Sequence, residues 1–143
     1  MKKTFLSILA IAAIAFTSCT ISNEEPTTGF QADAANFKGN ITQGTVTLNA
    51  SLEYNLTGAL VVQEGAKLII PAGTVIKASG GTSSYIAVAQ GAQIFIDGTA
   101  ANPVVMTSSK ANPASGDWGG FVICGKAPTN KGTTATAEVS DLT

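Results

Sequence analysis

Carboxyl groups are the side chains of this sequence with the clearest capacity for chemistry. Glycoside hydrolysis needs a pair of carboxyl groups, and lyase chemistry needs calcium-binding carboxylates beside a basic residue. Only Asp97 and Asp117 are spaced so that adjacent repeats of the chain bring them near each other. The sequence has no His and no Arg, which leaves Lys110 or Lys126 as the basic partner. The acidic residues after position 44 are scattered over different predicted turns: Glu53, Glu64, Asp97, Asp117, Glu138 and Asp141.

Aspartates at turns have a structural use, because their side chains bond to nearby backbone groups. We therefore predict no catalytic residue, no metal site and no cofactor. The stretch from Gly120 to Ala127 is similar in spacing to a phosphate-binding loop. Its middle residues form a predicted strand, however, and Ala127 stands where such a loop carries a hydroxyl group. With few charges and no basic cluster, the composition also gives no expectation of nucleotide or nucleic-acid binding.

Trp118 is the single tryptophan, and it follows Asp117 at the end of a polar stretch. Two interpretations stay open: a sugar-stacking platform, or a side chain that packs over a corner of the fold. Cys124 is predicted to be a small core residue, because it lacks the electropositive surroundings that activate a thiol.

The N-terminus has the layout of a secretory signal peptide. Two lysines precede an apolar segment, Phe5 to Phe16, which is shorter than the roughly 20 residues that span a bilayer. Small residues then precede Cys19, and this arrangement resembles the lipobox of bacterial lipoproteins. The resemblance implies that residues 1–18 are removed and that Cys19 carries acyl chains, which anchor the protein in a membrane. An ordinary signal peptide cut near Cys19 is the alternative.

Residues 19–43 are predicted to be the lipidated cysteine followed by a flexible tether, because Pro, Gly, Ser and Thr occur there without apolar periodicity. The acidic pair Glu24 and Glu25 either resembles a surface-export signal of Bacteroidetes lipoproteins or is a solvated pair of charges. Phe30, Phe37 and Ile41 are expected to plug the open end of the following domain.

Residues 44–143 contain short aliphatic strands that repeat. The segment Val62–Ile70 reappears as Val88–Ile96, at a spacing of about 26 residues, with Gly and Pro in the breaks. Repeats in the same direction, with few tight hairpin turns, favour parallel stacking over an antiparallel meander. We therefore predict an all-β fold, a parallel β-helix of about four rungs. A single rung buries too little apolar surface to offset its backbone entropy, so several must stack.

Strand alternation sorts the side chains of this solenoid into inward and outward rows. Leu68 and Ile70 are predicted to point inward, above Ile94 and Ile96, with Phe121 and Ile123 as the third level. The same alternation turns an apolar ladder outward. Either this ladder is a docking surface, or another part of the protein covers it. Its members are Ile69, Phe95 and Val122.

Three runs, Leu68–Lys77, Asp97–Val104 and Trp118–Pro128, carry a family resemblance. They are similar to the start of right-handed parallel β-helix lipoproteins of Bacteroidetes, in the pectin-lyase-like superfamily, over about residues 45–143. The resemblance implies an exported lipoprotein at the outer membrane or cell surface of a Gram-negative bacterium. It also implies further rungs, and we therefore expect a chain truncated at Thr143.

Three hypotheses for the function follow. The first is a non-enzymatic surface module for adhesion, scaffolding or glycan contact, with a glycan or a protein as its partner and the membrane held through Cys19. Its candidate contact residues are Trp118, Asp117, Ile69, Phe95 and Val122. The second is the N-terminal part of a polysaccharide lyase or hydrolase whose catalytic rungs lie downstream. The third is a decayed fragment without an independent role.

Overall fold

The computed structural model describes residues 29–128 and residue 130. Short β-strands follow one another in this part of the chain, and a 3₁₀ turn at Gly81–Ser83 is its one helical element. This agrees with a sequence that alternates apolar and polar residues. The strands are β1 (Phe37–Ile41), β2 (Gly44–Thr47), β3 (Glu53–Val62), β4 (Ala66–Pro71), β5 (Val75–Ala78), β6 (Tyr85–Val88), β7 (Gln93–Asp97), β8 (Val105–Ser108) and β9 (Gly120–Ile123).

The strands pair in parallel and return in turn to three stacks, which we call faces. The β4 face consists of β2, β4 and β7. The long strand β3 changes partners at residues 57–59: its first part pairs with β5 and, at Leu56, with Phe37 of β1, and its last part pairs with the rest of β1 and with β6. The β5 face therefore contains β3, β5 and β8, and the β6 face contains β1, β3, β6 and β9. This arrangement confirms the expected all-β parallel β-helix.

The core consists of the inward side chains of the stacked strands. Burial alternates along β4, where Leu68 and Ile70 are fully buried and their neighbours are half-buried. Leu68 pairs with Ile94 and Ile70 pairs with Ile96, as the alternation predicted. Identical inward positions in successive rungs thus lie on top of one another, which makes one continuous apolar column.

The predicted third level of this column is wrong. Phe121 pairs with Ile86 on the β6 face, and not with Ile94 on the β4 face. The chain leaves β8 through residues 109–119 and reaches the β6 face next, just as β6 follows β5. Short aliphatic strands resemble one another in sequence, so the pattern Phe-Val-Ile did not identify its partner.

The solenoid also begins earlier than the expected boundary at residue 44. β1 pairs with Leu56 and with the last residues of β3, so residues 37–41 form a strand and not part of a tether. The Phe37 ring is fully buried, 4.9 Å from the Tyr54 ring and 6.5 Å from the Phe30 ring, measured between centroids. Phe30, Ala32 and Ala34 pack against the core at this end.

The corner between the β5 and β6 faces is held by a close backbone approach. Ser84 is fully buried, and its hydroxyl donates to the Leu56 carbonyl while it accepts from the backbone N–H of Gly80, both at 2.9 Å. A Cβ atom at Gly80 would lie 2.5 Å from the Thr57 carbonyl oxygen. The corner therefore requires glycine at this position, because a methyl group would push two layers of backbone apart.

Burial decreases toward the last described strands. Ile70 and Val88 are almost fully buried, but their partners Ile96 and Ile123 are 43% and 61% exposed. Trp118, Met106 and Phe121 are half-buried and pack against the core at this end.

Within the described residues, no helix has the length and apolar character needed to cross a membrane. The predicted signal peptide, residues 1–18, and the predicted lipidation site, Cys19, lie outside the described residues, as does the end of the predicted β-helix domain after residue 130. These assignments stay predictions.

Candidate functional site

The outward row of the β4 face is the surface with the most distinctive chemistry. Parallel register places Thr47 beside Ile69 and Ile69 beside Phe95. Ile69 is half-buried, and Phe95 is 44% exposed. We call these two residues, together with Lys67, the outer strip. Its members lie on neighbouring strands, which are spaced by about 4.8 Å in a β-sheet.

Lys67 gives the outer strip a positive charge. Its ammonium nitrogen lies 5.4 Å from the centroid of the Phe95 ring, within the range of a cation–π interaction. Lys67 pairs directly with Gln93, so Phe95 is its diagonal neighbour two positions further along the strand. Thr45 and Gln93 are in register with Lys67 in the same outward row, so they add a hydroxyl group and an amide group to this surface. The surface therefore combines an aromatic ring, a cation and uncharged polar groups.

The sequence correctly joined Ile69 and Phe95 but wrongly added Val122 to them. Val122 pairs with Ala87 on the β6 face, and Ala87 in turn pairs with Val61. Val122 is half-buried there. The predicted ladder of three residues is thus divided between two faces of the solenoid.

Asp117 is engaged within its own loop, the connection 109–119 between β8 and β9. Lys110 donates to Asp117 Oδ1 at 2.5 Å, and the backbone N–H of Ala114 donates to Oδ2 at 2.8 Å. The Asp117 side chain is 8% exposed, and the Lys110 side chain is 66% exposed. The hydrogen bond from Lys110 lowers the pKa of Asp117 below its ordinary value, and the bond from Ala114 acts in the same direction. The carboxylate therefore fixes the loop in its observed shape.

Trp118 follows Asp117 in this loop and packs, half-buried, against the core cluster. This contact fits the interpretation of a side chain that covers a corner of the fold. Asp117 and Trp118 lie on the connection that leads from the β5 face to the β6 face, whereas Ile69 and Phe95 lie on the β4 face. With Val122 on the β6 face, the predicted contact residues therefore lie in three separate places.

The structure also shows the positions of the other residues considered for catalysis or binding. Asp97 ends β7, where it pairs with Pro71. Gly120 to Ile123 form β9, so this stretch is strand and not a phosphate-binding loop. Cys124 is a half-buried free thiol directly after β9. Among the described residues, no group of three or more His, Cys, Asp or Glu side chains is arranged to hold a metal ion.

Lys67 is the functional candidate that sequence reasoning missed. The signal that identifies Lys67 is a diagonal contact between paired strands. A long side chain can reach the residue two positions beyond its direct partner. Once Lys67 is aligned with Gln93, this rule points to Phe95.

The parallel pairing, the three faces and the continuous apolar column define the class: a β-helix protein. Residues 39–143 match the family model of the pectate-lyase-like β-helix domain, and the chain belongs to this family. The match supports the pectin-lyase-like part of the expected resemblance, while an origin in Bacteroidetes and lipoprotein status stay predictions. Neither a curated protein nor a solved structure matches the chain.

Proposed function

We propose that this chain is an exported, lipid-anchored β-helix protein that works as a non-enzymatic binding module. In this proposal Cys19 carries the acyl chains, residues 1–18 are removed, and the outer strip contacts a glycan or a protein at the cell surface. The observation that carries the proposal is the partly exposed Phe95 ring beside the Lys67 ammonium group.

The chemistry of the outer strip supports recognition. An aromatic ring provides a flat apolar surface, and the adjacent ammonium, hydroxyl and amide groups provide hydrogen bonds and orientation. A sugar ring has both an apolar face and a rim of hydroxyl groups, so it complements such a surface. Strands that are fixed in register keep these groups in place before a partner binds, which reduces the entropy lost on binding.

The described acidic residues support a non-enzymatic role, because two of them already have structural partners. Asp117 binds Lys110 and the Ala114 backbone, and Glu53 forms an ion pair with Lys77 at 2.8 Å on the β5 face. A carboxyl group used as a general acid or a metal ligand has to be available to its substrate or ion. Asp97 ends β7 and Glu64 lies in the turn before β4, and both positions are exposed.

The anchor is tested by the intact mass of the native protein extracted from its own membranes. The expected result is a product that begins at Cys19 and carries acyl chains. An unmodified product, or one that begins elsewhere, would overturn the anchor while leaving the binding proposal open.

Binding is tested on glycan arrays and on host-surface protein preparations with the native chain. Phe95→Ala is expected to weaken binding at least about tenfold, since a residue that anchors an interface contributes roughly 2 kcal/mol or more. Val105→Ala is the matched control, because Val105 is 40% exposed but lies on the β5 face. Equal losses from both variants would contradict recognition through the outer strip.

The same preparation distinguishes the enzymatic alternative. Incubation with acidic and neutral polysaccharides is expected to leave chain lengths unchanged. New reducing ends or unsaturated products would favour a polysaccharide-cleaving enzyme, and a larger native mass would place its catalytic residues in rungs beyond Thr143.

A further inference from the structure

The order in which the chain visits the faces is regular. Each strand of the β6 face is followed by a strand of the β4 face: β1 by β2, β3 by β4, and β6 by β7. β9 is the last described strand, and it lies on the β6 face beside β6. The next strand in this order belongs on the β4 face, beside β7.

One edge of β7 has the properties of a surface that a strand would cover. β7 pairs with β4 on one side, and within the described residues no strand pairs with its other side. Ile96 points inward, in register with the fully buried Ile70, yet it is 43% exposed. An inward isoleucine with this exposure, next to unpaired backbone groups, marks a docking edge for a further strand.

The sequence after the described residues contains a segment that fits this edge. Residues 134–139 read Thr-Ala-Thr-Ala-Glu-Val, with strict alternation of polar and apolar side chains. Such alternation is typical of a strand with one face in a core. Ala135, Ala137 and Val139 form the apolar row. The family match also extends to residue 143, beyond β9.

We propose that residues 134–139 dock as a parallel strand on the free edge of β7. In this arrangement Ala135, Ala137 and Val139 cover the inward side chains of β7, and Thr134, Thr136 and Glu138 continue its outward row, which contains Phe95. The proposal goes beyond the binding function proposed above, because it identifies the strand that covers the edge of β7.

The position and the chemistry of this segment make it the occupant of the edge. It is the next alternating segment after β9, and the chain needs only residues 124–133 to reach it from the end of that strand. Its apolar side chains are small or β-branched, so they can lie over Ile94 and Ile96. A second copy of the chain, docked by its own β7 edge, is the competing arrangement that the test distinguishes.

Two aspartate substitutions in the native chain provide a matched test. Ala137→Asp places a carboxylate in the inward row, and Thr136→Asp places one in the outward row of the same segment. Ala137→Asp is expected to lower the melting temperature by at least about 4 °C, whereas Thr136→Asp leaves it within about 1 °C of the parent. Hydrogen exchange measured by mass spectrometry is expected to quicken across Gln93–Asp97 in Ala137→Asp alone.

Three results would overturn the proposal. Equal effects of the two variants would show that the segment has no inward and outward rows. Unchanged exchange of β7 after deletion of residues 131–143 would show that the segment does not cover this edge. Protection of β7 that depends on protein concentration would assign the edge to a second copy of the chain.

Discussion

Phe37 in β1 and Ile123 in β9 both point inward, yet one is fully buried and the other is 61% exposed. Around Phe37, the ring of Tyr54 and the segment that contains Phe30 close the N-terminal end of the core. Around Ile123, the described residues supply a partner strand on one side. The difference shows that strand alternation decides the direction of a side chain, while burial also requires a neighbouring layer on each side.

This contrast has an energetic consequence. A residue stacked on both sides loses nearly all its contact with water, which contributes about 1.5–3 kcal/mol for a large aliphatic or aromatic side chain. A residue stacked on one side gains only part of this free energy of burial. Among the described residues, the N-terminal strands should therefore contribute more stability per residue than the last strands.

The largest effect is expected at the closed end. Phe37→Ala should destabilise the fold by about 3–5 kcal/mol, because it leaves a cavity between the rings of Tyr54 and Phe30 that the packed backbone cannot fill. Chemical denaturation followed by circular dichroism measures this loss. Leu52→Ala is the control, since Leu52 is 45% exposed and should cost under about 1 kcal/mol. If Phe37→Ala lowered the free energy of unfolding as little as Leu52→Ala, the proposed difference in stability between the two ends would be wrong.

Ile70 and Ile96 provide a comparison within one face. They are the same residue type in direct register, one fully buried and one 43% exposed. Ile70→Ala should cost about 2–5 kcal/mol, and Ile96→Ala should cost clearly less. Docking of residues 134–139 on β7 would bury Ile96 further and so reduce the difference between the two losses of stability. Ile70→Ala would stay the costlier change, because the alanine side chains of that segment cover Ile96 only in part. The reverse order, in the same denaturation measurement, would contradict the contrast.

Gly80→Ala examines the corner that links the β5 and β6 faces. The added methyl group would meet the Thr57 carbonyl oxygen, so the change should cost about 1–3 kcal/mol through displaced backbone. Gly125→Ala has no heavy atom within 4 Å of its new carbon and is the matched control. If both variants have the melting temperature of the parent, the corner tolerates a displaced backbone. In that case the close approach at Gly80 does not hold these faces together.

The smallest effect is expected from Asp117, whose carboxylate holds the loop that carries Trp118. Because the pKa of Asp117 is lowered in the folded protein, its stabilising contribution is present above the ordinary carboxyl pKa. The contribution is lost as the pH falls through the lowered pKa. Trp118 is the single tryptophan, so its fluorescence should change in this acidic range.

Asp117→Asn should produce a similar change in fluorescence already at neutral pH. Glu53→Gln, which removes the exposed ion pair with Lys77, should leave the emission unchanged. An emission spectrum that is identical in the Asp117→Asn variant and the parent would show that the ion pair does not position the tryptophan.

Much of this fold is predictable from the sequence, because stacked rungs repeat their alternation. The inward rows of β4 and β7 were assigned correctly. β1 was missed because Lys38, Gly39 and Asn40 interrupt its apolar pattern, and Gly39 has a positive φ of 116° beside a register shift. Such a strand is recognisable only from its partner.

The candidate site was less predictable, because residues that share a surface come from different turns of the solenoid. Ile69 and Phe95 were joined correctly, since their repeats are nearly identical. Val122 was misplaced because the connections between strands differ in length, so sequence spacing alone does not identify the neighbouring rung. Lys67 and Phe95 meet diagonally, which requires the register to be known first.

The corner between the β5 and β6 faces differs from rung to rung while the strands on either side keep their register. β3 passes through it as continuous strand, residues 79–84 span it in the next rung, and residues 109–119 span it in the one after. Most of the added residues, 79–83 and 109–116, are exposed, so extra chain length here is accommodated without moving the core. The corner is therefore a natural insertion point, where guest peptides such as antigenic epitopes could be displayed on a scaffold that already accommodates loops of different sizes.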